Sequence, residues 1–167
     1  MGPISIDIAI DAPRERVFDF ICDLGRRPGW TDHFLADYRL ERVEPAGEGA
    51  AARFRVDAPG GIGYMDMVIT KAERPYRIVE AGRGGRSNRI PVRAVWELEG
   101  GEGSVTEVSL TFSTEPTSRF DRIRDRRAGR WWRRRWKKAL RRLRDQLEST
   151  EAAAEPLRLA GIDSRPS

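Results

Sequence analysis

ISIDIAIDAPRERVFDFICDLGRRPGW, residues 4–30, holds the reading that decides the fold. Its first seven residues alternate: Ile4, Ile6, Ile8 and Ile10 against Ser5, Asp7 and Ala9. A period of two with one apolar face predicts a half-buried strand. Asp11-Ala12-Pro13 then predicts a helix start, with Asp11 as N-cap and Pro13 in the first turn. Val17, Phe18 and Ile21 recur at helical spacing and give that helix one apolar stripe, which Gly25 ends. Arg26 to Trp30 predicts a second short helix or turn, broken by Pro28-Gly29.

Beyond Phe34 the period returns to two and stays there to Phe112. Strands are expected near 36–44, 50–57, 63–73, 76–83, 91–99 and 104–114, separated by Pro- and Gly-marked turns. No long helical pattern interrupts them, so consecutive strands should pair antiparallel as a meander. The alternation assigns Phe54, Val56, Met65, Met67, Ile69, Ala94, Trp96, Leu98, Val108, Leu110 and Phe112 to a dry face. Arg53, Arg55, Arg93, Glu97, Glu107 and Ser109 fall on the wet one. After Glu115-Pro116, Thr117 or Ser118 can cap a long helix reaching about Leu147. Along it Trp132, Trp136, Ala139, Leu140, Leu143 and Leu147 recur at three- and four-residue steps, and Gly129 is a candidate bend. Residues 1–148 read as one domain, and 149–167, with Pro and small residues, as a mobile tail.

This order, opening on IDIAIDAPRERVFDFICD with Trp30 following a helical turn, resembles the SRPBCC superfamily of START-related helix-grip proteins, and within it the polyketide cyclase/dehydrase group. The similarity covers about residues 4–147. It implies an α+β helix-grip fold: a curved antiparallel sheet of about seven strands wrapped around a long C-terminal helix, with two short helices after the first strand. It also implies an internal apolar cavity that takes a small hydrophobic molecule such as a lipid, sterol or polyketide. Enzymes and non-enzymes share the superfamily, so the fold leaves activity open. An enzyme here would resemble a cyclase or dehydratase working without a cofactor.

Charge sets a second boundary. Residues 119–144, RFDRIRDRRAGRWWRRRWKKALRRLR, hold fourteen Lys or Arg against two acids, a net +12. The whole chain is only +5, so the remainder sums to −7. Hydrophobic residues are 39% and charged residues 34% of 167, which fits one globular domain with a sizeable core. No run approaches the roughly 18 apolar residues of a membrane span, and the first ten residues do not resemble a secretory signal. Cys22 is the one cysteine, which excludes an intramolecular disulfide and fits a reducing compartment. The expected location is the cytoplasm, with peripheral contact to a membrane as an option.

Cavity candidates are Trp30, His33, Tyr38, Phe54, Met65, Met67, Trp96, Phe112 and Trp132. The apolar ones would serve equally well as ordinary core. His33, the only histidine, is the weak nominee for acid–base chemistry, since its ordinary pKa lies near neutrality. Asp66 should point outward, where it can pair with Arg. No metal-ligand spacing or phosphate-binding loop is present in the sequence. On the basic helix, Arg130, Arg133, Arg134, Arg135, Lys137, Lys138 and Arg141 are candidates for an anionic surface. Anionic lipid ranks first there. An acidic partner is a further option, nucleic acid ranks below lipid, and a merely solvated face is the bland alternative.

Overall fold

The structure is a computed structural model that describes residues 2–58, 61–101, 104–115 and 119–149, and along the C-terminal helix the side chains from 128 onward. The element order is β1 (Ile4–Asp11), α1 (Arg14–Cys22), α2 (Pro28–Thr31), β2 (Leu35–Leu40), β3 (Ala51–Ala58), β4 (Gly61–Glu73), β5 (Arg77–Gly84), β6 (Ile90–Gly100), β7 (Val105–Thr114) and α3 (Arg119–Glu148). The seven strands form one curled antiparallel sheet in the order β1-β7-β6-β5-β4-β3-β2. It is a meander whose first strand has been added to its last, with Ile4 opposite Phe112 and Asp11 opposite Val105. This is the α+β helix-grip architecture expected from the alternation and the closing helix.

The periodicity decides which side is dry. All eleven residues assigned to the inward face, from Phe54 to Phe112, are buried. On the opposite face Arg53, Arg93, Glu97 and Glu107 are exposed. The stripe of α3 settles onto the dry side: Trp132, Trp136, Ala139, Leu140, Leu143 and Leu147 are all at most 5% exposed. α3 runs beside β1 and touches α2 and β3. It continues without interruption through Gly129. Burial of such a stripe, rather than intrinsic propensity, holds a helix whose outer face carries so much like charge.

Two local expectations are corrected. Asp11 does not cap α1: it closes β1, where its backbone N–H donates to Glu148 (2.9 Å) and its carboxylate accepts from Ser104 (2.5 Å). The helix begins at Arg14, and Pro13 (φ −58°, ψ 140°) holds the cap position with no side-chain cap. Pro28 does not break the second helix but opens it. A proline lacks only an N–H that the first helical turn leaves unsatisfied anyway. The expected capping residues Thr117 and Ser118 and the tail from 150 lie outside the described residues.

Candidate functional site

Between α3 and the concave face of the sheet lies an aromatic interior. Trp30, Trp96 and Trp136 meet with ring centroids 5.8–6.5 Å apart. Phe112 joins Trp132 at 4.7 Å and Trp136 at 5.7 Å, and Phe34 packs edge-on to Trp136 at 5.1 Å. Half of these contacts are edge-to-face and half tilted, and the edge-to-face ones add to simple area burial. Among the described residues a small cavity of about 10 Å³ lies here, room for a single water. Phe54, Met65, Met67, Phe112 and Trp132 line it, together with Leu35, Ala94 and Trp136. Trp30 and Trp96 are fully buried behind this wall. Tyr38 lies at the β2 edge with its ring stacked on Phe54 (5.5 Å, planes 4° apart), and burial pushes its hydroxyl pKa up.

One end of the cavity is polar, through two residues that the sequence patterns had not singled out. Arg27, from the turn before α2, and Glu80, from the middle of β5, both line it and are 3% and 2% exposed. The guanidinium reaches Glu80 Oε1 at 2.6 Å and Oε2 at 3.2 Å, and donates to the Ile21 carbonyl at 3.3 Å. Trp96 Nε1 donates to Glu80 Oε1 at 2.7 Å, so the carboxylate takes three donors. Arg27 also lies over the rings of Trp30 (5.0 Å) and Trp96 (5.5 Å), a cation–π arrangement made strong by exclusion of water. Burial works against the charge on Arg27, but the neighbouring Glu80 outweighs it and leaves the pKa above the ordinary value. The signal available in the sequence was Glu80 itself: in β5 it shares the inward parity of Ile78. A carboxylate at such a position must find a partner inside.

His33 is elsewhere. It is half-buried against the outside of the α2–α3 junction and does not line the cavity. Nε2 faces the Arg135 carbonyl (3.2 Å) and Nδ1 faces an Arg142 guanidinium nitrogen (3.2 Å). An arginine can only donate, which makes Nδ1 the acceptor and places the ring proton on Nε2. Arg142 also pairs with Asp32 and donates to the Gly29 carbonyl (3.1 Å), which Gln146 reaches as well (2.9 Å). Arg142, Gln146 and His33 thus clamp α3 to α2. Burial lowers the His33 pKa below 6.5, and Lys138, Arg142 and Arg135 add to that. A lowered basic pKa means the unfolded chain takes up the proton first, so stability should fall as pH drops below about 6.5. Urea midpoints across pH 7.5 to 5 should show this loss, and His33→Gln should flatten that part of the profile.

The helix's other face is cationic. Arg130, Arg133, Arg134, Lys137, Lys138 and Arg141 are exposed and Arg135 is half-buried. Of the α3 cations, only Arg142 and Arg144 make salt bridges among the described residues. Arg133 donates to the Ser5 carbonyl (3.2 Å), and Arg135 lies over the ring of half-buried Trp131 (5.3 Å). A larger cleft of about 980 Å³, open to solvent, lies outside the sheet–helix interior, between α1, the turn at Ala46–Glu48 and Arg74. Its charges are in part internally matched, as in Arg74–Asp19 (2.7 Å). Cys22 forms part of its floor, where burial raises the thiol pKa and keeps it unreactive. Asp66 points outward, bonded by Asn88 and paired with Arg53 (3.5 Å). Among the described residues no cluster of His, Cys, Asp or Glu could hold a metal ion, and no helix is long and apolar enough to cross a membrane.

A sheet gripping a single long helix, with a closed interior bearing one polar end, defines the helix-grip class. The chain belongs to the polyketide cyclase/dehydrase and lipid transport family, whose profile matches residues 1–148. Its fold recurs in the KanY protein (TM-score 0.70, 16% identity, covering 89% of this chain and 100% of that one). It recurs again in a protein from Thermus thermophilus (TM-score 0.66, 20% identity, 86% and 95%). A third likeness is DynU16, from the dynemicin biosynthetic locus (TM-score 0.62, 18% identity, 95% of this chain and 51% of that one). No curated protein matches the chain.

Proposed function

We propose that the protein binds a small, largely hydrophobic molecule between the concave face of the sheet and α3. The observation that carries this is an aromatic and methionine-lined interior with a buried Arg27–Glu80 pair at one end. A filled structural core gains nothing from burying an ion pair, which apolar residues of the same size would replace at no loss. The described side chains leave about 10 Å³ beside this pair. Ligand sites of drug size need about 300 Å³ or more, so binding has to move walls, and Met65 and Met67 are the adaptable ones. Should the ligand also be turned over, as by a cyclase or dehydratase, the polar groups facing it are Arg27 and Glu80 rather than His33. Native mass spectrometry of protein purified gently from its own cells should show a discrete extra mass that is lost on denaturation. A bare protein mass in every preparation would count against the proposal.

A second reading rests on the α3 cations other than Arg142 and Arg144, which make no salt bridge among the described residues. Arg130, Arg134, Lys137, Lys138 and Arg141 would draw this face to an anionic membrane, from which a hydrophobic ligand could be collected. The apolar stripe is already committed to the sheet, so the attraction would be electrostatic and lost at high salt. Each basic group near an anionic bilayer contributes about 1 kcal/mol. Arg134→Glu with Arg141→Glu should therefore cut binding to phosphatidylserine-rich vesicles at least about tenfold, with the unfolding midpoint unchanged. Sedimentation with vesicles reads the effect, and neutral vesicles are the control. Undiminished binding of the double variant, or tighter binding to RNA than to vesicles, would sink this reading.

A further inference from the structure

The polar end of the interior has donors left over. Arg27 Nε and Trp136 Nε1 are buried and find no acceptor among the described residues, and both residues line the same cavity. They are 3% and 4% exposed, so solvent does not satisfy them either. Leaving a buried N–H unpaired costs about 1–3 kcal/mol. Two such donors beside one small void mark a place for an acceptor atom. In the absence of ligand the cavity has room for one water to fill that role.

The charge of the acceptor can be read as well. Arg27 is already neutralised by Glu80, whose two oxygens take bonds from Arg27 and Trp96. The remaining lining, Leu35, Phe54, both methionines, Ala94 and the other aromatics, carries no charge. The described lining of this cavity is therefore neutral overall, with a carboxylate fixed at its polar end. A second anion brought there would lose its hydration and gain no free countercharge. We propose that Arg27 and Trp136 select a neutral carbonyl or ether-like oxygen on an otherwise apolar ligand, and reject a free carboxylate such as that of a fatty acid. The inference deepens the interior-binding proposal and rests on it.

Three probes of one bicyclic size test it: 1-tetralone, the parent hydrocarbon tetralin, and tetralin-1-carboxylate, each titrated against the intrinsic tryptophan fluorescence of the whole chain. Tetralone should bind about tenfold tighter than tetralin, the worth of one satisfied donor, and the carboxylate no better than tetralin. In ¹⁵N-labelled protein, tetralone but not tetralin should shift the Trp136 Nε1–H and Arg27 Nε–H resonances. Trp136→Phe keeps a ring and deletes one donor, so it should reduce the tetralone preference while tetralin binding persists. Equal affinity for tetralone and tetralin would overturn the donor assignment and leave the interior site standing. Tightest binding of the carboxylate would overturn the neutral-ligand claim. Binding of none of the three would overturn both the inference and the interior site it rests on.

Discussion

Glu80→Gln should be among the most damaging single substitutions in the chain, lowering stability by about 3–5 kcal/mol, the usual cost of leaving one partner of a buried ion pair alone. The carboxylate is the counterion of a guanidinium that is 3% exposed, and it is also the acceptor for Trp96 Nε1. A glutamine amide offers one oxygen where the pair and the indole need two, and it leaves the positive charge uncompensated inside an aromatic box. Arg27→Met should cost a similar amount by stranding the anion. The double variant Arg27→Met/Glu80→Met should recover most of the loss, to within about 1–3 kcal/mol of the parent, since no charge is then stranded and what is missing is the hydrogen bonds to Trp96 Nε1 and the Ile21 carbonyl and the cation–π contacts. Urea unfolding of the four proteins closes a double-mutant cycle. Additive single losses would show that the two side chains do not act as a pair.

Gly82→Ala should destabilise by about 3 kcal/mol, the upper end of the ordinary range for overpacking. A Cβ on Gly82 would lie 1.8 Å from the Asp66 carbonyl oxygen and 2.8 Å from Met67 Sδ. The first of these is backbone of the paired strand β4, so relief requires separating β4 from β5 where Met67 faces Gly82 across the ladder. Gly84→Ala is the control two residues on. Its closest contact is Met65 Cε at 3.1 Å, the far end of a flexible side chain, and its cost should stay within about 1 kcal/mol. Thermal or urea melts of the pair separate a backbone collision from a side-chain one. Equal costs would mean that the strands yield more readily than the β4–β5 spacing implies.

Much of the architecture was legible because period-two and period-3.6 patterns are local properties. Met65, Met67 and Ile69 alternate with Asp66 and Val68, and the structure buries the first set and leaves the second at least partly exposed. The stripe from Trp132 to Leu147 was readable in the same way. Arg27 was not legible, because nothing local distinguishes it from Arg26, which stays half-buried and pairs with Asp23 at 3.4 Å. The turn before α2 aims one of them inward, and only the path of that turn says which. His33 looked like a cavity residue because it follows Trp30 by three positions, yet the ring turns outward to meet Arg135 and Arg142. The size of the void was also hidden. It depends on side chains from seven elements and the turn before α2 meeting in space, which no spacing along the chain encodes.

The pairing of β1 with β7 has a consequence for how the protein is made. Ile4 waits for Phe112, and the helix that covers the sheet follows later still. At about 5–20 residues per second of synthesis, the first strand leaves the ribosome roughly 5–20 seconds before its partner exists. Throughout that interval its isoleucine face and an unpaired edge are open to the cell. The meander β2–β7 can assemble by neighbour-to-neighbour hairpins as it emerges, but closure at β1 and the seating of α3 are reserved for the end of translation. Truncated chains ending before β7 should therefore be bound by chaperones far more than the finished protein, and the last third of the chain governs whether nascent copies survive.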